Sequence, residues 1–279
     1  MRAFACASAI SLAPILALAP LAQAAGAPPD AAGSGGAPAP RRVVSLKLCT
    51  DELLLMLARP EQIASVTYLS QEPHETPLWA EGRRHRKNDG SLLSVAALAP
   101  DLVLDMGGGG RDTARIAQRL GMRLLTLPYP RTLGDVEQSV RAVAAALHRP
   151  AAGERLVAGI EQLKRSAPPP RIEAMWLGGG GRSVAPDSLA AQWMALAGLK
   201  QIALQGDRVT LEQLLVRPPR LLLKSGYRSG QYSSEQRWLA HPLVAKRPIA
   251  TIATDGRRWT CMGPPMISET LRLRRLVRR

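Results

Sequence analysis

The sequence predicts an α/β fold of two lobes, each with a central, mainly parallel sheet flanked by helices, joined by one long α-helix. Apolar strand patterns alternate with helix patterns along both halves of the chain, which is typical of parallel sheets covered by helices. A mostly helical passage separates the halves. In each half a strand runs into four consecutive glycines, at Leu102–Gly110 and Met175–Gly181. Such turns lie at the carboxyl ends of parallel strands, where open α/β sheets bind ligands.

The N-terminal segment has the parts of a secretory signal peptide. A positive charge precedes an uncharged apolar run over Ala3–Leu21, and a small-x-small cleavage site follows at Ala22–Ala24. A membrane anchor is the alternative, but Pro14 and Pro20 interrupt the run. Residues 25–40 are almost entirely Ala, Gly and Pro, so they are expected to form a disordered leader. We therefore expect a signal peptide over residues 1–24 and a mature protein outside the cytoplasm.

Strands and helices alternate through residues 41–148, the first predicted lobe. Thr50 or Asp51 can cap the first helix, and Pro100 and Gly121 end the next two. Residues 70–90 show no period and predict a loop. The predicted elements are strand Arg42–Leu46, helix Asp51–Leu57, strand Ile63–Tyr68, helix Leu92–Leu98, strand Leu102–Asp105, helix Thr113–Leu120 and strand Arg123–Leu127.

The predicted connecting helix occupies residues 149–168. It follows a helix at Leu133–Leu147, begins at Pro150 and reaches about Lys164. The second lobe is assigned to residues 169–279. Its predicted elements are strand Ile172–Leu177, helix Leu189–Ala197, helix Thr210–Val216, strand Leu221–Leu223, helix Ser234–Leu239, strand Pro248–Ala253 and helix Ile267–Val277.

The chain is strongly basic, with a formal net charge of +15. The charge is spread along the chain and is densest over Leu271–Arg279, where the helical spacing indicates the solvated face of the last helix. This excess of positive charge favours an anionic ligand. A nucleic-acid partner is not expected, because the chain is predicted to be exported and its one Phe and four Tyr do not supply the usual base-stacking platforms.

Four segments, in order, resemble one family. They are the strand–loop–helix Arg42–Leu53, the segment Leu98–Leu104 (LAPDLVL), its echo Leu211–Pro218 and the segment Trp259–Pro264. Together they resemble the class III periplasmic binding proteins, which serve importers of cobalamin, ferric siderophores and haem. The resemblance covers residues 41–277.

The resemblance implies a binding function. Such a protein captures a metal chelate in the cleft between its lobes and delivers it to an inner-membrane ABC permease and its ATPase. It is a monomer, is not an enzyme and has no cofactor besides its ligand. Cobalamin is the first expected ligand, because the Cys-Thr-Asp-Glu and Trp-Thr-Cys segments are similar to those of cobalamin carriers. Yet Lys87 stands where the family's cobalamin binder has Trp, and the basic charge fits a ferric siderophore or haem equally well.

Docking on the permease uses one carboxylate per lobe in this family. The corresponding position is Glu212 in the second lobe, but it is Leu93 in the first. The usual salt-bridge docking of the first lobe is therefore in doubt, and Glu72, Glu75 and Asp89 are candidate substitutes.

By the family's geometry, two loops face the cleft: Cys49 and Thr50 after the first strand, and Trp259 and Cys261 after the last. Three interpretations of the cysteines stay open. They form a disulfide, as an oxidising compartment favours, or a thiol contacts the bound chelate, or both thiols have packing roles.

Further cleft candidates follow other predicted strands. Lys87 and Asn88 belong to a basic loop over residues 83–88, and the alternative is a solvated charge run. Arginines that could hold a ligand carboxylate follow the glycine turns, and aromatic faces could stack on a flat macrocycle. These further candidates are Arg111, Arg182, Trp176, Tyr227 and Arg228.

Other functions find little support in the sequence. The histidines, His74, His85, His148 and His241, form no HxxxH or HExxH pair, so no dedicated metal site is expected. The rival class is an exported thiol or serine hydrolase. No GxSxG motif is present, and no His follows a strand where it would face Cys49. We therefore expect no catalytic residues.

Overall fold

The structure is a computed structural model that describes residues 38–107, 110–227, 241–242, 246 and 249–278. The predicted signal peptide, most of the predicted leader and the predicted helix Ser234–Leu239 lie outside the described residues. Residues Ala39–Arg279 form one compact unit. Two parallel sheets, one in each half of the sequence, organise this unit, as the alternation of strands and helices predicted.

The first lobe is built on a sheet whose strands are β1 Val43–Ser45, β2 Ile63–Thr67, β3 Lys87–Asn88, β4 Leu102–Met106 and β5 Leu124–Leu127. Their order is β3-β2-β1-β4-β5, and all the pairings are parallel. The chain leaves β1 in one direction and returns to β4 on its other side. The order therefore reverses between β1 and β4, which is the position where open parallel sheets form a ligand crevice.

The second lobe repeats this design in a smaller sheet, with strands β6 Ile172–Leu177, β7 Leu199–Gln201, β8 Leu221–Gly226 and β9 Ala250–Asp255. The order is β7-β6-β8-β9, again with parallel pairings. Its switch point lies between β6 and β8. Each lobe therefore presents a set of strand carboxyl ends with a crevice among them.

The described helices are α1 Leu48–Leu57, α2 Trp79–Gly82, α3 Leu92–Ala96, α4 Gly110–Arg119, α5 Leu133–Ala146, α6 Pro150–Arg165, α7 Leu189–Leu196, α8 Leu211–Val216, α9 Gly256–Cys261 and α10 Met266–Val277. Helix α6 is the predicted long helix between the sheets. It begins at Pro150 because the first turn of a helix does not need the N–H that proline lacks. No described helix is long and apolar enough to cross a membrane.

Helices α5 and α6 pack against each other and serve both lobes. A Cβ at Gly153 would lie 2.6 Å from the Cβ of Ala144, so glycine is what lets the two helices approach this closely. Each helix places one end in each hydrophobic core. The side chains in the core of the first lobe are Val140, Val143, Ala144, Ala152 and Val157, and those in the core of the second are Leu133, Val136, Ile160 and Leu163.

Several short elements differ from the sequence predictions. Residues 70–90 contain α2 and β3 rather than a continuous loop, and β7 was not predicted. Helix α1 begins at Leu48, so Lys47 and not Thr50 or Asp51 is its N-cap. The Thr50 hydroxyl instead donates to the Lys47 carbonyl. Elements this short contain too few residues to show a hydrophobic periodicity in the sequence. Their conformation is determined instead by the strands and helices that pack against them.

Arg274 departs from the prediction that the last basic run is a solvated helix face. Its side chain is 6% exposed, and it donates to the carbonyls of Leu163 and Leu196 at 2.7 and 2.6 Å. A third bond, of 2.9 Å, reaches the Ser166 hydroxyl. The last carbonyls of a helix have no partner within the helix. Arg274 therefore satisfies the ends of α6 and α7 from α10.

Replacing Arg274 with alanine is expected to lower the free energy of unfolding by about 3 kcal/mol, because buried carbonyls at two helix ends lose their donor. Urea denaturation followed by far-UV circular dichroism measures the change. Arg275→Ala is the matched control, because Arg275 is exposed on the same helix. Equal stability of the two variants would contradict a capping role for Arg274.

Candidate functional site

A disulfide joins the two lobes. Cys49 and Cys261 are bonded, with their Cα atoms 5.2 Å apart. Cys49 lies in the first turn of α1 and Cys261 is the last residue of α9, so both stand on helices and not in the loops that the sequence predicted. Of the three interpretations of these cysteines, the structure contains the disulfide. It leaves no thiol at either position to contact a ligand.

Arg257 makes a second contact across the lobes. Its guanidinium pairs with both oxygens of Asp255, each at 2.8 Å, and donates to the Pro73 carbonyl of the first lobe at 2.9 Å. Asp255 also caps the start of α9. Burial raises the pKa of Asp255, but the hydrogen bonds and charge of Arg257 outweigh it and bring this pKa below its ordinary value. The pair therefore stays charged and holds Arg257 towards Pro73.

Gln192 ties the second lobe to the start of α5, a helix whose other end lies in the first core. Its amide oxygen accepts from the backbone N–H of Leu133 at 3.1 Å, and its amide nitrogen donates to the Arg131 carbonyl at 3.2 Å. Gln192 is on α7, whereas Arg131 and Leu133 lie at the start of α5. Together with the disulfide and Arg257, this contact leaves little freedom for the lobes to move apart.

A small pocket, with a volume of about 20 Å³, lies beside the disulfide. Both lobes contribute to its wall, which is mostly apolar. The lining residues are Cys49, Glu52, Leu53, Met106, Pro130, Val136, Ser139, Cys261, Gly263 and Pro264. This volume holds about one water molecule and is far below that of pockets that bind small ligands. The pocket is therefore a feature of the contact between the lobes and is not itself a site for a macrocycle.

Glu52 is the one ionisable side chain of the pocket wall, and it is 2% exposed. Its Oε1 accepts from the Thr76 hydroxyl at 2.7 Å, and its Oε2 has no hydrogen-bond partner among the described residues. Burial raises the pKa of Glu52 to about 7, which outweighs the Thr76 hydrogen bond, and the charge of Asp51 adds to the rise. Around neutral pH this carboxyl therefore exchanges a proton at the contact between the lobes.

Asp51 is also buried but has an internal role. It accepts from the backbone N–H and the hydroxyl of Thr67, which connect α1 to the end of β2. Burial raises the pKa of Asp51 to about 7 despite these hydrogen bonds. Two neighbouring carboxyls thus share a region from which water is excluded.

Several predicted cleft residues have structural roles. Thr50 is fully buried and pairs with the Ser45 hydroxyl at 2.8 Å. Asn88 donates to the Ser45 carbonyl and the Ser65 hydroxyl, which fixes β3 to the sheet. Trp259 is 5% exposed and donates to the Thr254 hydroxyl inside the second core, so it does not offer a face to a ligand.

The other predicted residues have mixed placements. Trp176 packs on Trp259 with 6.0 Å between ring centroids, so this ring also belongs to the second core. Lys87 and Arg182 are exposed near strand ends, as is Tyr227, whose hydroxyl pairs with that of Thr260. The residue Arg228 and the side chain of Arg111 lie outside the described part of the chain. At the predicted docking positions, Glu212 is exposed and Leu93 is 77% exposed.

Two exposed aromatic residues were missed by the sequence analysis. Tyr68 directly follows β2 and is 49% exposed, and Tyr129 follows β5 and is 65% exposed. With Tyr227 after β8, each described tyrosine therefore lies just past the carboxyl end of a strand. The sequence placed Tyr68 at the end of one predicted strand and Tyr129 just after another, but a single aromatic residue forms no periodic pattern that would mark it as functional.

A family model matches the chain over the first lobe and α6. Residues 43–171 match the model described as "Periplasmic binding protein". This range contains the first sheet, the α5–α6 pair and the first residues of the approach to β6. Over these residues the chain is similar to the periplasmic binding proteins. No curated protein matches the chain in sequence.

Solved structures share the fold of this chain at low sequence identity. The periplasmic haem-binding protein HutB of Vibrio cholerae superposes with a TM-score of 0.67 at 18% identity, over 85% of this chain and 98% of that one. The vitamin B12-binding protein BtuF of Vibrio cholerae gives 0.62 at 16%, over 85% and 96%. The haem-binding protein RhuT of Roseiflexus gives 0.60 at 21%, over 84% and 98%. These likenesses establish the two-lobed fold.

The described residues contain no group of three or more His, Cys, Asp or Glu side chains that could hold a metal ion. Among the buried carboxyls, Asp51 and Glu52 accept hydrogen bonds from threonine hydroxyls, and burial raises the pKa of each to about 7. The side chains at or just past strand ends include the phenols of Tyr68, Tyr129 and Tyr227 and the carboxylate of Asp255.

Removing the disulfide is expected to destabilise the protein strongly. The bond closes a loop over 212 residues, and a loop of that size lowers the entropy of the unfolded chain by an amount worth about 5 kcal/mol in the chain-entropy model. The variant with Cys49→Ser and Cys261→Ser is compared with the oxidised protein by urea denaturation. The reducing agent TCEP should lower the stability of the wild type and leave the double variant unchanged. Equal stability of all four samples would show that the bond is not formed.

Glu52 should make the stability of the protein depend on pH. Its pKa is 4.5 ordinarily and about 7 in the fold, so the folded state binds more protons between these values and stability falls as pH rises through this window. Glu52→Gln keeps an acceptor for Thr76 without the charge. At about pH 8 it should be more stable than the wild type, by up to about 3 kcal/mol, and at pH 4.5 the two should match. Glu61→Gln, an exposed change, is the control. A constant difference between variant and wild type across the range would contradict the buried titration.

Proposed function

We propose that the chain is the periplasmic substrate-binding protein of an ABC importer and that its ligand is haem, captured between the two lobes. The observation that carries the choice of ligand is Tyr68, which is 49% exposed directly after β2. A phenolate oxygen is an established axial ligand of haem iron. Chelates whose metal has no open position gain nothing from such a side chain.

The position of Tyr68 supports this role. Asp51 anchors the end of β2 through Thr67, the residue before Tyr68. The segment that follows is held by Arg257 of the second lobe, which donates to the Pro73 carbonyl. The phenol therefore stands on a rigid strand end beside the contact between the lobes. Fixed ligands of this kind bind with little loss of side-chain entropy.

The charge of the chain supports an anionic chelate. Haem carries propionate carboxylates at one edge, and the exposed side chains of Lys87 and Arg182 lie near strand ends of the first and second lobes. Arginine can hold a carboxylate through two parallel hydrogen bonds. The formal net charge of +15 adds a general attraction for such a ligand.

Cobalamin, the first ligand expected from the sequence, is the second candidate. BtuF of Vibrio cholerae shares the fold with a TM-score of 0.62, close to the value for the haem-binding RhuT. Against cobalamin, Trp259 of the Trp-Thr-Cys segment that suggested this ligand is buried in the second core, with Trp176 packed on it, so it does not offer its indole to a ligand. A ferric siderophore shares the charge argument but makes no use of an axial phenol.

Delivery to an inner-membrane permease and its ATPase completes the proposal. The predicted signal peptide over residues 1–24 would bring the protein to the periplasm as a monomer. Glu212 on α8 would contact the permease, while the exposed Leu93 on α3 would make an apolar contact at the equivalent position of the first lobe. The protein would release its ligand unchanged, because binding and not turnover is its role.

Titration of the purified protein with haemin and with cyanocobalamin tests the ligand. Haemin is expected to bind with submicromolar affinity and to give the Soret and charge-transfer bands of a phenolate-bound ferric haem. Tyr68→Phe should abolish the charge-transfer band and weaken haemin binding by about tenfold, since the axial bond is lost while the ring remains. Leu271→Ala, an exposed change on α10, should bind as the wild type does.

Each outcome separates the candidates. Tight cyanocobalamin binding without haemin binding would replace haem by the second candidate. Binding of a ferric siderophore alone would favour the third ligand of the class. Failure of all three, or thiol-dependent ester hydrolysis, would overturn the proposed function.

A further inference from the structure

Each lobe contains a tyrosine that covers a glycine at the end of the neighbouring strand. In the first lobe Tyr129 follows β5 and Gly107 follows β4, the strand beside it. A Cβ at Gly107 would lie 2.2 to 2.7 Å from atoms of the Tyr129 ring. The ring therefore occupies the space that a side chain at position 107 would take.

The second lobe repeats the arrangement. Tyr227 follows β8, and Gly256 follows the neighbouring strand β9. A Cβ at Gly256 would lie 3.0 Å from two carbons of the Tyr227 ring. The Tyr227 hydroxyl also pairs with the Thr260 hydroxyl at 3.1 Å, which fixes the direction of the ring.

Both rings are supported on the protein side and open to solvent. Tyr129 is 65% exposed and Tyr227 is 37% exposed. Most exposed tyrosines turn freely, but contact with a strand-end backbone restricts these two rings and reduces the entropy that a ligand would have to remove. A supported aromatic ring is a surface for stacking a flat conjugated ligand.

The two tyrosines border the same contact between the lobes. Pro130, the residue after Tyr129, lines the pocket beside the disulfide. Cys261, the residue after Thr260, lines the same pocket from the second lobe. The disulfide and Arg257 keep the two borders at a constant separation. Such a geometry suits a rigid planar ligand better than a flexible one.

We propose that Tyr129 and Tyr227 are paired stacking platforms, one in each lobe, that contact a planar conjugated macrocycle of the porphyrin class through its ring system. This inference rests on the proposed function and deepens it, because it assigns recognition of the ring to residues other than the metal-directed Tyr68. It makes the ring system, and not only the metal, a determinant of specificity.

Iron-free protoporphyrin IX tests the platforms separately from the metal contact. The wild type should bind it, more weakly than haemin, with a shift of its absorption and fluorescence. Tyr129→Leu and Tyr227→Leu keep apolar area but remove the aromatic ring, and each should weaken binding of haemin and protoporphyrin by about 3- to 10-fold. Tyr129→Phe and Tyr227→Phe are the matched controls, because they keep the ring, and should stay within about twofold of the wild type.

The same titrations distinguish failure of the inference from failure of the proposed function. If haemin and protoporphyrin bind to the Leu variants as tightly as to the wild type, the platforms are wrong and the haem proposal stands. If the wild type binds neither compound, both proposals are overturned. Melting temperatures of all four variants show whether each is folded. If a Phe variant loses as much affinity as its Leu counterpart, the hydroxyl and not the ring is the contact, and stacking is refuted.

Discussion

The packing of α5 against α6 is the constraint on which the rest of the molecule depends. The contact between Gly153 and Ala144 brings the helices close, and each helix then contributes one end to each hydrophobic core. Neither lobe can complete its core without this pair. Because a close-packed interior resists small displacements, the helix pair sets the relative position of the two sheets and hence the width of the cleft. The disulfide, Arg257 and Gln192 reinforce a position that the cores already determine.

Because the width of the cleft is constant, the side chains that contact a ligand must already be in position before the ligand binds. Binding proteins whose lobes close on a ligand can form new contacts after capture, but this one must present its contacts beforehand. The side chains at the strand ends agree with that requirement, since Tyr129 and Tyr227 are held over glycines and Tyr68 follows an anchored strand. Side chains that are already fixed lose little conformational entropy when a ligand binds. Glu52 makes the stability of the fold depend on pH, because burial at the contact between the lobes disfavours the charged form of its carboxyl.

The sequence predicted the large elements and the fold class because these depend on long periodic patterns. Both parallel sheets and the helix beginning at Pro150 lie where the alternation of strands and helices placed them. Short elements such as β3 and α9 were not predicted, because they are too short to show a hydrophobic periodicity and form only where a neighbouring element supplies hydrogen bonds. The site was harder to predict. Trp259 can be buried because the Thr254 hydroxyl accepts a hydrogen bond from its indole N–H inside the core. No local sequence pattern predicts this contact. The positions of Tyr68 and Tyr129 suggest a function only once the fold shows that each lies at the end of a strand.

The link between Cys49 and Cys261 has a consequence for how the protein matures. Downstream of residue 40 the chain has only these two cysteines, separated by 212 positions. The second cysteine lies beyond the last strand of both sheets, and oxidation downstream of residue 40 can pair no other residues. It also cannot occur until α1 and α9 have met, which requires both lobes to be assembled. The disulfide therefore forms only in molecules whose two lobes have folded and assembled. Molecules that fail it keep free thiols and remain distinguishable from the finished carrier.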